Sequence, residues 1–329
     1  MIVTHAYPRA ALIGNPSDGY FGKTIAFVFR NFKVEMQLFE SERLEIIPGN
    51  RDRLVFENMD ELVDEVKQNG YYGGVRLIKA SVKKFSDCCL QRGIQIHPKN
   101  FTIAFTSSIP DRLGLAGSSA IVTATMQALM QFYDVDIPKP LLANLILSVE
   151  KDELKIGAGL QDRVAQVYAR PVYMNFDKSL MQRQGYGEYI PFDKGLLPPV
   201  YIAYKTSLSE GSEITHNNFA KRYEEGEEMV HKAVKQWVEL TEAVWQKLNK
   251  GDKEIGELLN RNFDIRKQVL PVNNGNIELV NAARSAGASA KLTGSGGAII
   301  GTYANEKILA DLISSMKKIN AEVIIPDII

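Results

Sequence analysis

Cysteine is nearly absent from this chain: 329 residues include two, Cys88 and Cys89, and they are neighbours. A disulfide between adjacent residues is strained and uncommon, so both are expected as reduced thiols, and a disulfide-stapled secreted scaffold is excluded. Excess charge of either sign is missing too. Lys plus Arg and Asp plus Glu each total 39, giving zero net charge, and no long basic run marks a nucleic-acid or membrane surface. No apolar run reaches membrane-spanning length, and the opening Met-Ile-Val-Thr-His-Ala-Tyr-Pro-Arg lacks the basic start and apolar core of a signal peptide. These absences predict a cytoplasmic protein whose partners are small molecules, with neither nucleic acid nor membrane among them; they leave the oligomeric state open. The four histidines, His5, His97, His216 and His231, have no metal-ligand spacing. A Walker A loop is also lacking. Gly22-Lys23-Thr24 looks like the end of one, but the pattern requires glycine at position 17, which is Ser17.

What remains is ordinary for a folded chain: 45% hydrophobic and 24% charged residues, with length for one large or two medium domains. Alternation between turn residues predicts strands at Ala10–Gly14, Lys23–Phe29, Lys33–Phe39 and Leu44–Pro48, an antiparallel start. Helices are expected over 60–69 and 74–91, a strand over Phe101–Thr106, and a small-residue helical stretch from Ile121 to Phe132. Further helices follow over Pro140–Leu154 and on to Tyr168. Strands at 171–177 and 200–205 flank Leu196-Leu197-Pro198-Pro199, the expected crossing from an N-terminal half, 1–195, to a C-terminal half, 196–329. That second half is expected to hold helices over 219–249, 252–268 and 277–287, then a glycine hinge running into a buried strand, Ala298–Thr302. Trp237 and Trp245, eight apart, mark one packed face of the first of these. Strands and helices segregated in this way predict an α+β protein.

The most informative segment is Pro110-Asp111-Arg112-Leu113-Gly114-Leu115-Ala116-Gly117-Ser118-Ser119-Ala120. Gly114 and Gly117 let the backbone turn its amides with no Cβ in the way, and the serines open a helix whose unpaired N–H groups and dipole favour an anion. The hydroxyls add donors, or a ligand for a divalent metal. Alone, the loop reads equally as a phosphate cradle or as a serine-capped helix start. Two further glycine clusters, Pro8 to Gly22 and Lys291 to Ala298, lie on either side of it in the chain. Glu150 and Asp162 fall between them. Phosphoryl transfer needs a metal bridging phosphate oxygens and a group that orients and deprotonates the acceptor hydroxyl; one carboxylate can serve each need.

The order and spacing of these clusters resemble the GHMP family of small-molecule kinases over nearly the whole chain. Leu12-Ile13-Gly14-Asn15-Pro16-Ser17-Asp18-Gly19-Tyr20-Phe21-Gly22, Gly70-Tyr71-Tyr72-Gly73-Gly74-Val75-Arg76 and Ala158-Gly159-Leu160-Gln161-Asp162-Arg163-Val164-Ala165-Gln166-Val167-Tyr168 carry the likeness, which is strongest to the family's glucuronate-phosphorylating branch. The resemblance implies a two-domain α+β fold, with an N-terminal half like a ribosomal-protein α/β domain and a ferredoxin-like C-terminal half. It implies an ATP- and Mg2+-dependent kinase acting on the anomeric hydroxyl of D-glucuronate. Galactose, galacturonate, fucose or a heptose phosphate are alternative acceptors, and a non-catalytic sugar sensor is an alternative of another kind.

By the same resemblance Asp162 is the catalytic base and Arg9 the cation beside it. Gly114, Leu115, Ala116, Gly117, Ser118, Ser119 and Ala120 bind ATP. Glu150, twelve residues before Asp162, holds Mg2+ with Ser119, chosen by counting back from Ala120 because the loop is one residue longer than is usual in the family. Asp18 accepts sugar hydroxyls, and Gly294, Ser295 and Gly296 shape the pocket. Where galactokinases have Glu-His, this chain has Asn15-Pro16, which suits a substrate bearing its own carboxylate. Arg76 is the first candidate to meet that carboxylate and Arg163 the second. Asn262-Phe263-Asp264-Ile265-Arg266 shares the likeness with no role assigned.

Overall fold

A computed structural model of the chain describes residues 1–49, 52, 59, 73–208 and 213–329. The helix expected over 60–69 and the Gly70-Tyr71-Tyr72 string lie outside them. Among the described residues, twelve strands form three four-stranded sheets. The first has the order β1 (Ile2–Ala6), β4 (Val34–Ser41), β6 (Asn100–Ser107), β5 (Glu45–Ile47). The second has β2 (Arg9–Ile13), β3 (Lys23–Val28), β7 (Val172–Asn175), β8 (Glu188–Pro191), and is antiparallel throughout. The third has β10 (Lys291–Leu292), β11 (Ala298–Thr302), β9 (Val200–Tyr204), β12 (Glu322–Ile324). Helices lie between β9 and β10 and between β11 and β12, so this last sheet has the βαββαβ order of a ferredoxin-like unit.

The helices covering these sheets follow from their apolar patterns. α1 (Gly74–Gln91) buries Leu77, Ile78, Ser81 and Phe85 at helical spacing. α2 (Gly117–Tyr133) is different: Ser119 to Met126 are all buried, because the helix packs against α1 on one side and β1 and β4 on the other. Its small residues permit that close approach, and Thr4 of β1 donates to the Ala124 carbonyl at 2.7 Å. α3 (Lys139–Ser148) leads into a π-turn, Val149–Glu153, and α4 (Gln161–Tyr168) comes next; α5 (Lys178–Gln184) is short. The C-terminal half adds α6 (Glu213–Glu224), α7 (Glu228–Asn249), α8 (Gly256–Val269), α9 (Asn274–Ser285) and α10 (Glu306–Lys318).

Most expected elements are present within a few residues of their expected bounds. The helix expected over 219–249 is broken at 225–227, where Gly226 takes φ +79 and Arg222 clamps Glu227. The helix expected to reach Leu154 ends its α-ladder at Ser148, and Leu154 N–H bonds the Val149 carbonyl in the wider π pattern. Strands β1, β8 and β12 and helices α5 and α10 were not anticipated from the sequence. The halves interleave. Trp237 of α7 is fully buried, and the Thr241 hydroxyl on that helix donates to Lys23 O in β3 at 3.0 Å.

Candidate active site

Arg9 is the first residue of β2 and is 4% exposed. A buried guanidinium must have its donors satisfied, and here several segments satisfy them. Nε and Nη2 donate to Asp162 Oδ1 at 2.8 and 2.6 Å. Nη1 donates to Thr293 O at 2.6 Å and to Gly114 O at 3.2 Å. The Arg9 N–H donates to Leu115 O at 3.0 Å, and two residues on, Ala11 N–H donates to Thr293 O at 3.1 Å. One side chain therefore draws the three glycine clusters together around Asp162.

The first turn of α4 carries Asp162 and Arg163. Arg163 is buried and donates through Nε at 2.9 Å, and through Nη2, to Oε2 of Glu150. Its Nη1 donates to Gly159 O at 2.8 Å and lies 3.5 Å from Asp162 Oδ2. Burial works to raise the Asp162 pKa, but Arg9 and Arg163 outweigh it and hold the carboxyl below the ordinary value. Glu150, in the π-turn and 2% exposed, goes the other way: burial raises it, and Arg163 only partly offsets this. Asp18 sits in a short helical turn, Ser17–Tyr20, and accepts from Gln161 N–H at 3.3 Å. Burial first, then the charge of Asp162, pushes it up to about 6. A Cβ on Gly159 would collide with the Asp18 carboxylate, which explains glycine there.

Around this acid cluster the second and third glycine segments touch. Gly114 has φ +63, and a Cβ there would meet Ser295 N at 2.8 Å. Arg112 and Ala116 also take positive φ, so the loop is tightly coiled before α2 begins at Gly117. Intrahelical bonding starts with Ala120 N–H to Ala116 O, so the ladder begins at the end of the glycine loop. Ser119 is 1% exposed and its hydroxyl donates to Ala116 O at 3.1 Å, whereas Ser118 is half-buried and more reachable. Gln166 of α4 bonds the same Ala116 carbonyl and Tyr7 O, fixing α4 to the loop.

Two models of the GHMP kinases match the chain, the N terminal domain over residues 76–170 and the C terminal region over 243–321. The protein named probable glucuronokinase 2 of Arabidopsis thaliana is 43% identical over 90% of this chain and 82% of its own length. Glucuronokinase 1 of the same plant is 41% identical over 90% of this chain and 83% of its own. The chain belongs to the GHMP kinase family. The fold agrees: the crystal structure of Methanococcus jannaschii mevalonate kinase superposes with a TM-score of 0.70 over 100% of this chain and 98% of that one, at 18% identity.

In this GHMP kinase, Arg9, Asp18, Glu150, Asp162 and the Gly114–Ala120 and Gly294–Gly296 segments converge, and Arg76 lies at their edge, by the π-turn that carries Glu150. It is exposed on α1 with Nη2 on Leu154 O at 3.0 Å, beside the π-turn. Arg163, the second candidate for a substrate carboxylate, is spent on Glu150, Gly159 and Asp162 and is withdrawn from that role. Asn15 is 3% exposed with its amide on Leu292 O at 3.3 Å, so it seals the seam to β10 instead of facing a sugar. Sequence reasoning missed the residues that hold the third cluster. Arg266 donates to Gly294 O at 2.8 Å and Ser295 O at 3.1 Å; Lys291 donates to Ala11 O at 2.7 Å; Asn262 caps Gly14 N–H at 2.8 Å and donates to Asn15 O at 3.1 Å. Burial lowers Arg266 to about 10, and burial with the nearby arginines lowers Lys291 far below an ordinary lysine. The available signal was Asn262 and Arg266 four apart on one face of a helix, next to buried Phe263.

Among the described residues no group of three His, Cys, Asp or Glu is placed to hold a metal ion. The donors fit Mg2+ in another way. Arg163 engages Oε2 of Glu150, and no hydrogen bond among the described residues engages Oε1. Mg2+ is held in kinase sites by one or two carboxylates together with substrate phosphates and water.

Proposed function

We propose that this GHMP kinase transfers the γ-phosphoryl group of ATP to the anomeric hydroxyl of D-glucuronate, giving ADP and glucuronate 1-phosphate. The observation that carries the reading is Asp162, half-buried and held ionised by Arg9 and Arg163 where the three glycine segments meet. The choice of sugar is supported by the two plant relatives named as glucuronokinases. Asp162 accepts the hydrogen of the acceptor hydroxyl as its oxygen attacks phosphorus. Arg9 keeps that carboxylate charged and fixes its orientation. The amides of 114–120 cradle the phosphates, and Asp18 takes hydrogen bonds from neighbouring sugar hydroxyls. Glu150 and a hydroxyl of the serine pair, of which Ser118 is better exposed than Ser119, would hold Mg2+, which supplies charge neutralisation at the phosphates when bound.

Arg76 is the proposed partner of the uronate carboxylate. An ADP-release assay over glucuronate, galacturonate, galactose, fucose and glucose tests the substrate, and R76A tests the anchor. Glucuronate is expected to turn over fastest, and R76A to lose efficiency on uronates alone. No ADP release with glucuronate would sink the substrate assignment, and equal loss of R76A on neutral sugars would remove Arg76 from it.

A further inference from the structure

One guanidinium joins the two carboxylates on which transfer depends. Arg163 is 4% exposed and directs two of its nitrogens to Oε2 of Glu150, while its third reaches Gly159 O at 2.8 Å and Asp162 Oδ2 at 3.5 Å. Oδ1 of Asp162 is already held by Arg9. We propose that Arg163 is a positioning residue for phosphoryl transfer: it fixes Glu150 against Asp162 and leaves Oε1 of Glu150 as the oxygen offered to the metal. The inference rests on the kinase reading above.

A guanidinium is a planar fork with donors at set angles, so two acids and a carbonyl bound to it hold a set separation. A lysine ammonium in its place carries the same charge and lacks the fork. Glu150 needs such a brace because its backbone lies in a π-turn, outside the α-ladder of α3. Arg163 has a braced origin of its own, since it sits on α4 and is tied to the Gly159 carbonyl of the preceding loop. A competing account gives Arg163 only its charge. A cation beside a metal-binding carboxylate repels the metal, so on that account removing it tightens metal binding. The two accounts predict opposite signs.

The test uses the full-length chain as R163K and R163Q. Turnover and sugar KM are read by ADP release, Mn2+ binding in the presence of ADP by electron paramagnetic resonance of the free ion, and folding by thermal unfolding. Both variants are expected to lower kcat by about 100-fold, the scale of an ångström of misplacement, with sugar KM unchanged. Mn2+ binding is expected to weaken about tenfold, as when the orienting partner of a metal ligand is lost. R163K with wild-type kcat and Mn2+ affinity overturns the proposal, as does tighter Mn2+ binding by R163Q. If R163Q does not fold, R163K, which keeps the charge, decides alone. Failure of the wild type to phosphorylate any sugar would sink the kinase reading instead, and the Mn2+ series would still report whether Arg163 orders Glu150.

Discussion

At Asp162 and Asp18 similar burial has opposite outcomes. Asp162 bonds Arg9 and faces Arg163, which together hold it ionised; at Asp18 burial and the charge of Asp162 outweigh the Gln161 N–H and the same two arginines, and push it up to about 6. D162N is therefore expected to lower kcat by roughly 10²–10⁴-fold, the range for losing a general base, and to lower the thermal midpoint as well, because the buried Arg9 and Arg163 lose the charge they face. Wild-type kcat/KM for the sugar should rise with pH through about 6 as Asp18 ionises, and D18N should lack that inflection. Stability runs the other way. The folded pKa of Asp18 is raised, so between the unfolded value and about 6 the folded state binds more protons, and stability falls as pH rises. Denaturant titrations at pH 5 and pH 7 should show wild type gaining on D18N at the lower pH. Asp162, Arg9 and Asp18 were singled out in the sequence by the family resemblance of the strings that hold them, since alone each reads equally as a turn, cap or surface charge. Arg266 and Lys291 were not, since long cationic side chains ordinarily reach water. Here they end on carbonyls, those of Gly294 and Ser295 and those of Ala11 and Leu292; the four-residue spacing from Asn262 marks the helix face that carries Arg266, and no local pattern marks Lys291.

Among elements, the loop before α2 is the one whose backbone tolerates least. G114A places a Cβ at φ +63 against Ser295 N, with a backbone cost of about 1–2 kcal/mol before the clash is counted. The expected result is a lower thermal midpoint together with a raised KM for ATP, and an unchanged KM would detach this loop from the nucleotide. The π-turn at 149–153 is a helix carrying one surplus residue. Each residue turns an α-helix by about 100°, so deleting Lys151 or Asp152 would restore a regular ladder while swinging the downstream segment away from Arg163. Such a surplus acts as a shim, because the downstream segment carries Arg163 and the bond at stake is the one Arg163 makes to Glu150 upstream. Sequence periodicity located α1, α2, β3, β6 and β11 because each has a long buried stripe. It passed over β8 and β12, which are short and have no fully buried position, and α5, which buries no residue. The break at Gly226 escaped notice because charged residues surround a single glycine.

At the scale of the molecule, neither half completes itself. Gly14 depends on Asn262, Lys23 on Thr241, and Arg9 on Thr293, each a bond across more than half the chain. Residues 1–195 expressed alone are expected to show no cooperative unfolding transition, and co-expression with 196–329 should restore one; a stable N-terminal fragment would show that these bonds are dispensable. The sequence disclosed the three clusters but not that one arginine ties them, because the tie is a set of carbonyls that any residue type could supply. The Arg9 to Thr293 bond spans 284 positions. Ribosomes add about 5–20 residues per second, so Arg9 waits on the order of tens of seconds for its last partner to be made. During that interval the nascent chain carries an arginine bound for the interior with part of its fork unmatched. The site thus cannot close until Thr293 has been made, and a pause before that residue would prolong dependence on chaperones more than a pause anywhere in the first sheet.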